Sequence, residues 1–357
     1  MSASHTSSRP LSKLVIVACA CLLGAGAAAR GQESKQTPAA ISAEAARGIE
    51  LFKRGDNEAA IKSLRDATKK DKSDSEAWHY LGLALVKKEK FKDARKAFER
   101  AIALRPNFPA ALTGLAYIHL RLNETYDSGR VAEKALALEP GNVEAHYILG
   151  VTHLRHNSNS QALEEAEAAL KVNPSFAPAL YLKVVSLAGM SANAVSAATD
   201  ETPDVRKMLL DKVGARLDEA DAAFRKFAAL DPKNAELESL GEQLKTLRGY
   251  SGSFGALPAG RDILSGKEVT TKAAIRSRPE PLYTQRARES QTTGTVVLRM
   301  VLAADGTVKY IVAIRRLPDG LTESAISAAR KIKFIPAMKD GRPVSQYVTI
   351  QYNFNIY

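Results

Sequence analysis

Two periodicities divide this chain. From about residue 41 to 248 apolar residues recur at helical spacing, whereas from residue 295 onward they alternate with polar ones at period two. The helical regime repeats on a larger scale. Pro106, Pro140 and Pro174 stand 34 residues apart, each closing a run rich in Ala, Leu and charged residues. In the clearest run, 75–108, Trp78, Leu81 and Leu85 share one face of a first helix. Small Gly82 and Ala94 let a second helix approach, and Phe98 and Ala101 fill the space between the two. Pro106 has no N–H with which to continue that second helix. The same frame gives Leu112, Leu115, Ala135 and Pro140, then Leu149, Gly150, Ala162, Ala169 and Pro174; upstream, Gly48, Leu51, Ala60, Leu64 and Ala67 place a weaker unit.

These residue types at these offsets resemble the tetratricopeptide repeat. They predict an all-α solenoid over 41–248, with units near 41–74, 75–108, 109–142, 143–176 and 177–234 and a capping helix at 235–248. The fifth unit starts with Leu180 and Val184, but its second helix is reached only at Ala220, Phe224, Phe227 and Pro232. The intervening insertion, 190–213, is small and polar before it turns helical, and reads as a loop plus a helical extension. Such arrays imply, by resemblance, a concave groove for peptides. One row of first-helix positions carries Lys53, Lys87, Arg121 and Arg155, and a neighbouring row carries Ile49, Leu83, Tyr117 and Val151. Together they suggest a groove for an acidic, partly apolar segment. Cations near helix C-termini also complement the helix dipole, so the basic row has a purely structural explanation as well.

Between 249 and 271 Gly, Ser and Pro become frequent and periodicity vanishes, which reads as a linker. Beyond it, Val296, Leu298, Met300 and Leu302 alternate along one strand, Ala304-Asp305-Gly306 supplies a turn, and Val308, Tyr310, Val312 and Ile314 form a second strand. Residues 321–332 read as a helix with Leu321, Ala325, Ile326 and Ala329 on its apolar face. Residues 344–356 form a last strand, apolar on one face and polar on the other, as a sheet covered by one helix requires. The expected module at 272–357 is therefore a small α+β domain of ββαβ order.

That order, with Pro281, Tyr283 and Ala287 before the first strand, Gly294 entering it, Asp305-Gly306, Gly320-Leu321, Ala325, Ala328, Ala329, Phe334, Pro336, Ala337, Gly341 and Pro343-Val344, resembles the TonB C-terminal domain. Thr284 departs from it, since that family commonly has Pro after the Tyr. The resemblance implies a periplasmic domain that captures a short extended peptide of an outer-membrane transporter at the edge of its last strand. The edge would then comprise Val344, Ser345, Gln346, Tyr347, Val348, Thr349, Ile350, Gln351, Tyr352 and Asn353, with main-chain hydrogen bonds supplying affinity. Burial of that edge by the linker or by a second copy, giving a homodimer through this domain, is the competing reading. TonB energy transducers also imply inner-membrane motor proteins as partners. Their retained helix bears a membrane-embedded His, which the apolar stretch 14–29 lacks, and repeats stand here in place of their Pro-rich spacer. An envelope adaptor or scaffold is therefore the leading expectation, and energy transduction the alternative.

The N-terminus bears on this choice. Arg9 and Lys13, an apolar run from Leu14, and Ala27-Ala28-Ala29 before polar residues match a secretory signal peptide over 1–29. A retained inner-membrane anchor and a lipobox at Ile16-Val17-Ala18-Cys19 are the other readings. Both cysteines, Cys19 and Cys21, lie in this stretch, so a cleaved chain has neither disulfides nor thiol chemistry. The formal charge is +12, and 272–357 holds 14 basic and 6 acidic residues, a surplus of 8 that favours anionic partners or simply aids solubility. No phosphate-binding glycine loop, nucleophile elbow or metalloprotease helix occurs. His153 and His156 lie three apart with His146 nearby, but His153 occupies the packing position of Leu85 and His119, and no cysteine or carboxylate cluster completes a metal site. The expectation is a periplasmic protein that binds proteins, with no catalytic residues, metal, cofactor or nucleic-acid partner.

Overall fold

The structure is a computed structural model that describes residues 42–198, 203–234, 236–256, 263–317 and 319–355. The apolar N-terminal stretch lies outside them. The chain divides into two compact units: one holds 42–152 with 165–178, and the other holds 153–164 with 179–355.

In the first unit, α1 (Ala43–Lys53), α2 (Asn57–Lys70), α3 (Ser75–Lys87), α4 (Phe91–Leu104), α5 (Pro109–Arg121) and α6 (Thr125–Leu138) follow in register with the repeat. Consecutive helices pack on each other, and first helices also pack on the next first helix, α1 on α3 and α3 on α5. Helices α7 (Val143–Arg155) and α8 (Asn159–Val172) contribute to both units. Side-chain caps begin several of them: Ser42 Oγ, Asp74 Oδ1 and Asn142 Oδ1 each accept the N–H three residues on, at 3.1, 2.8 and 2.9 Å. The turn inside each hairpin demands a left-handed residue. Gly55, Glu89, Asn123 and Asn157, 34 apart, have φ of 86°, 56°, 63° and 60°. The following N–H reaches back into the preceding helix, as from Lys90 to the Leu85 carbonyl and from Glu124 to that of His119.

The second unit continues with α9 (Ala177–Ala198), α10 (Pro203–Leu230) and α11 (Leu237–Ala256). Much of the expected insertion loop is instead helix: α9 runs on past Met190 to Ala198 and α10 begins at Pro203, while 199–202 lie outside the described residues. Ser191, Ala192, Val195 and Ala198 are small, yet they sit at helical spacing and are buried, as are Leu210, Val213 and Leu217 of α10. Small side chains here mark close packing rather than a loop. Tyr181 and Phe227 rings lie 5.6 Å apart, and Lys183 pairs with Glu219 at 2.5 Å, joining the two long helices. Helix α9 is long and apolar enough to cross a membrane, but 67% of its apolar window is buried in the protein, as in a core helix.

Helix α11 extends eight residues into the stretch assigned to a linker, and β1 (Ile263–Leu264) lies near that stretch's far end. The strands β2 (Ala274–Ser277), β3 (Gly294–Leu302), β4 (Val308–Arg315), β5 (Lys333–Ile335), β6 (Ala337–Lys339) and β7 (Arg342–Phe354) follow, with α12 (Gln285–Glu289) before β3 and α13 (Leu321–Ala329) after β4. The main sheet runs β1-β7-β3-β4, with β6 also on β7; β2 and β5 form a separate ribbon. The antiparallel β3–β7 pairing, from Gly294↔Phe354 to Leu302↔Gln346, is its spine. One face, Val296, Leu298, Met300, Ile350, Tyr352 and Phe354, packs under Leu321, Ala325 and Ala329 of α13. The predicted helix 321–332 ends at Ala329, because the chain needs Lys333–Ile335 as a strand beside β2. Helix α11 packs against β4, and Arg316 just after that strand donates to Gln243 Oε1 at 2.7 Å.

Candidate functional site

Of the ten residues expected to form a docking edge, three already have other partners within the chain. Val344 pairs with Ala337 of β6, while Ser345 and Gln346 pair in parallel with Ile263 and Leu264 of β1. The Ala273 N–H donates to Gln346 Oε1 at 2.7 Å, and that of Ala304 to Ser345 Oγ at 3.1 Å. The proposed edge thus shortens to Tyr347–Asn353. Sequence reading missed this because Ile263-Leu264 is too short to carry a period.

Along Tyr347–Asn353 one side is committed to β3. Its side chains divide by parity: Ile350 and Tyr352 are buried in the core, whereas Thr349, Gln351 and Asn353 are exposed. Thr349 accepts from Arg299 Nη1 at 3.0 Å and Asn353 from Thr295 Oγ1 at 2.8 Å, tying those polar side chains to β3. Tyr347 is buried although it points away from the α13 side. Arg278, which sequence reading did not single out, donates to the Gln351 carbonyl, and its guanidinium stacks 4.5 Å over the Tyr352 ring. Burial pushes the Tyr352 phenol up, opposed by Arg278. A strand adding here would meet backbone and short polar side chains, plus one cation. That arrangement suits an extended segment better than a globular surface.

The repeat rows fare differently. Leu83 and Tyr117 are 7% and 1% exposed, so they hold the hairpins together and offer no area to a ligand. Ile49 and Val151 are half-buried. Arg121 donates to Tyr117 Oη at 2.9 Å and lies 4.5 Å over the Phe91 ring of the preceding repeat, which commits it to packing within the array. Lys53 is exposed; Lys87 and Arg155 are half-buried. The rows therefore do not form one continuous apolar and cationic lining.

Histidines serve the scaffold. His119 Nδ1 lies 2.5 Å from Glu124 Oε2, and Arg95 binds the same carboxylate at 3.0 Å. His146 bridges Glu165 at 2.6 Å and the Pro140 carbonyl at 2.9 Å, and the Glu165 hydrogen bond raises its pKa. Among the described residues no group of three or more His, Cys, Asp or Glu is placed to hold a metal ion.

Residues 279–356 match the family described as Gram-negative bacterial TonB protein C-terminal, and 45–107, 81–128 and 126–178 match the tetratricopeptide repeat. No curated protein matches the chain. Similar solved structures include MamA, at 19% identity over 55% of this chain and 93% of that one, with a TM-score of 0.39. They also include YrrB, described as a tetratricopeptide-repeat protein with an unusual peptide-binding site, at 18% over 56% and 90% with a TM-score of 0.40. A third is PilF of Pseudomonas aeruginosa, at 20% over 60% and 87% with a TM-score of 0.45. The chain is a tetratricopeptide-repeat solenoid followed by a C-terminal domain of the TonB family.

Proposed function

We propose that this protein is a non-enzymatic adaptor of the Gram-negative cell envelope, exported to the periplasm, which captures an extended segment of a partner along β7. The observation that carries the reading is the far part of the β7 edge: on the side away from β3, no strand pairs with Val348–Asn353 among the described residues. Main-chain groups at a sheet edge are a template for a further strand, and a strand arriving here would displace Arg278 from the Gln351 carbonyl. The repeats supply a second protein-binding element, in keeping with the peptide-binding site named for YrrB. A photoreactive residue at Thr349 in the full chain tests the edge. It should cross-link to an envelope partner, and an excess of an extended peptide from that partner should suppress the cross-link. Labelling that is absent, or unaffected by such a peptide, overturns strand capture.

The TonB-family domain also favours a second reading, energy transduction to outer-membrane transporters through inner-membrane motor proteins. Mass spectrometry of the native N-terminus separates the two. A chain starting near Arg30 in the soluble periplasm supports the adaptor, whereas a retained stretch in the inner membrane supports transduction.

A further inference from the structure

The edge of β7 is held at two points by one stretch of its own chain, residues 263–278. At the first, β1 lies parallel to β7, with Ile263 opposite Ser345 and Leu264 opposite Gln346. Leu264 and Ser265 are buried there, 8% and 6% exposed. The strand then ends at once, because the Ser265 N–H donates to Glu268 Oε2 at 2.7 Å and the Glu268 N–H to the Ser265 carbonyl at 3.1 Å. From that turn the chain crosses to β6, where the Thr270 and Thr271 N–H groups both donate to the Met338 carbonyl. It returns to β7 at Gln346, whose Oε1 accepts from the Ala273 N–H at 2.7 Å. At the second point Arg278 donates to the Gln351 carbonyl and stacks over the Tyr352 ring. Four residues, Tyr347–Ile350, separate the two holds, fewer than the about 5–6 of an ordinary strand. An extended segment adding along β7 must therefore take main chain from one hold or from both.

We propose that residues 263–278 are a built-in competitor for the β7 edge, a strap that occupies it in the free protein and that a partner segment displaces. The inference rests on the reading of β7 as the capturing edge and concerns how that edge is regulated. The geometry makes the strap displaceable. Its strand contributes a parallel pairing of two residues, the less stable kind per residue. Arg278 is exposed, where stacking on an aromatic ring contributes little. The bonds of Thr270 and Thr271 to Met338 do not involve β7, so β1 leaves the edge without breaking them. Being tethered, the strap competes at an effective concentration that does not depend on how much protein is present. It thus sets a threshold: a short or weakly pairing segment is kept out, and a strand long enough to cover both holds enters.

A photoreactive residue at Thr349 of the full chain, with a synthetic peptide copying residues 261–272 as the probe, tests the proposal. Leu264→Asp puts a carboxylate at a buried position and so expels β1, and Arg278→Ala removes the second hold. Half-maximal labelling of the double variant should need about tenfold less peptide than that of the wild type. Arg278→Ala alone should need about threefold less, the weight of one exposed cation–π contact. Thermal melts check the fold of each variant, and the exposed position of Arg278 keeps the test decisive if Leu264→Asp unfolds the domain. Equal labelling of wild type and variants overturns the proposal, because the strap then does not compete. Labelling of none overturns it as well, since β1 is then no ligand of this edge. Either failure leaves strand capture to be judged by the cross-link between Thr349 and an envelope partner, which does not depend on this peptide.

Discussion

His79 is buried between Phe98 and Phe108, with ring centroids 5.8 and 4.9 Å away, and its Nδ1 has no hydrogen-bond partner. Burial, aided by the nearby Arg105 charge, pushes its pKa down to about 3. The unfolded chain takes up a proton near pH 6.5 while the folded one does not, so stability present above pH 6.5 drains away as pH falls toward 3. Between pH 7 and 4 the wild type should lose about 3 kcal/mol more than His79→Leu, measured by urea unfolding. An equal loss in both would show that His79 does not titrate this way. His146 works in the opposite sense: its pKa is raised, so its contribution is present at low pH and fades as pH rises through the folded value. The hairpin turns offer a second residue-scale prediction. Glu89 holds φ of 56° where Asn123 and Asn157 hold 63° and 60° in the equivalent turns. Asn tolerates the left-handed region better than Glu, so Glu89→Asn should stabilise by roughly 0.5 kcal/mol. Gly55→Ala, with open space around it, should destabilise by about 1 kcal/mol through the backbone alone.

At the scale of helices, Phe98 is clamped between two glycines. A Cβ on Gly82 would lie 2.7 Å from Phe98 Cε1, and one on Gly114 would lie 2.5 Å from it. The ring is buried and cannot swing away, so Gly82→Ala should cost about 1–3 kcal/mol. Gly214, inside α10 with nothing near its would-be Cβ, should respond with the opposite sign, gaining about 0.5–1 kcal/mol on change to Ala. Melting curves of the two variants side by side check the contrast, and a destabilised Gly214→Ala would contradict the open environment. The insertion gives a sharper test, because Val195 sits in a buried helical row where a surface loop was expected. Val195→Asp buries an unpaired carboxylate and should cost several kcal/mol, about 3 or more, whereas a residue in a solvated loop would tolerate it.

For the molecule as a whole, the second unit joins the last repeat helix to the TonB-family domain. Arg316 reaches both Gln243 on α11 and Glu323 on α13, the latter at 3.1 Å. Glu236, just before α11, has its pKa raised, first by burial and then by Glu323, while Arg316 and Arg286 act against the rise. Its charged form is therefore a destabilising element above its folded pKa and is neutralised as pH falls. Glu236→Gln should raise the melting temperature at pH 7 and leave it unchanged at pH 4, below the ordinary carboxylate value of 4.5. No difference at pH 7 would show that this junction is relaxed in solution.

The sequence by itself determined the elements whose signal is local. A 34-residue register of glycine, alanine and proline specifies helical hairpins because small residues set helix approach and proline ends a helix, and alternation from Val296 to Leu302 specifies a strand with one buried face. Long-range pairing was not legible in this way. Ile263-Leu264 and Lys333–Ile335 are too short to show a period, and they become strands only because β7 and β2 offer them unpaired main chain. The same holds for the candidate site. The last strand could be read as a docking edge, but which part stays open depends on β1 and β6, and Leu83 and Tyr117 were assigned to a groove although packing buries them. Hydrophobic patterning records which residues avoid water, and only the tertiary structure decides which neighbour shields them.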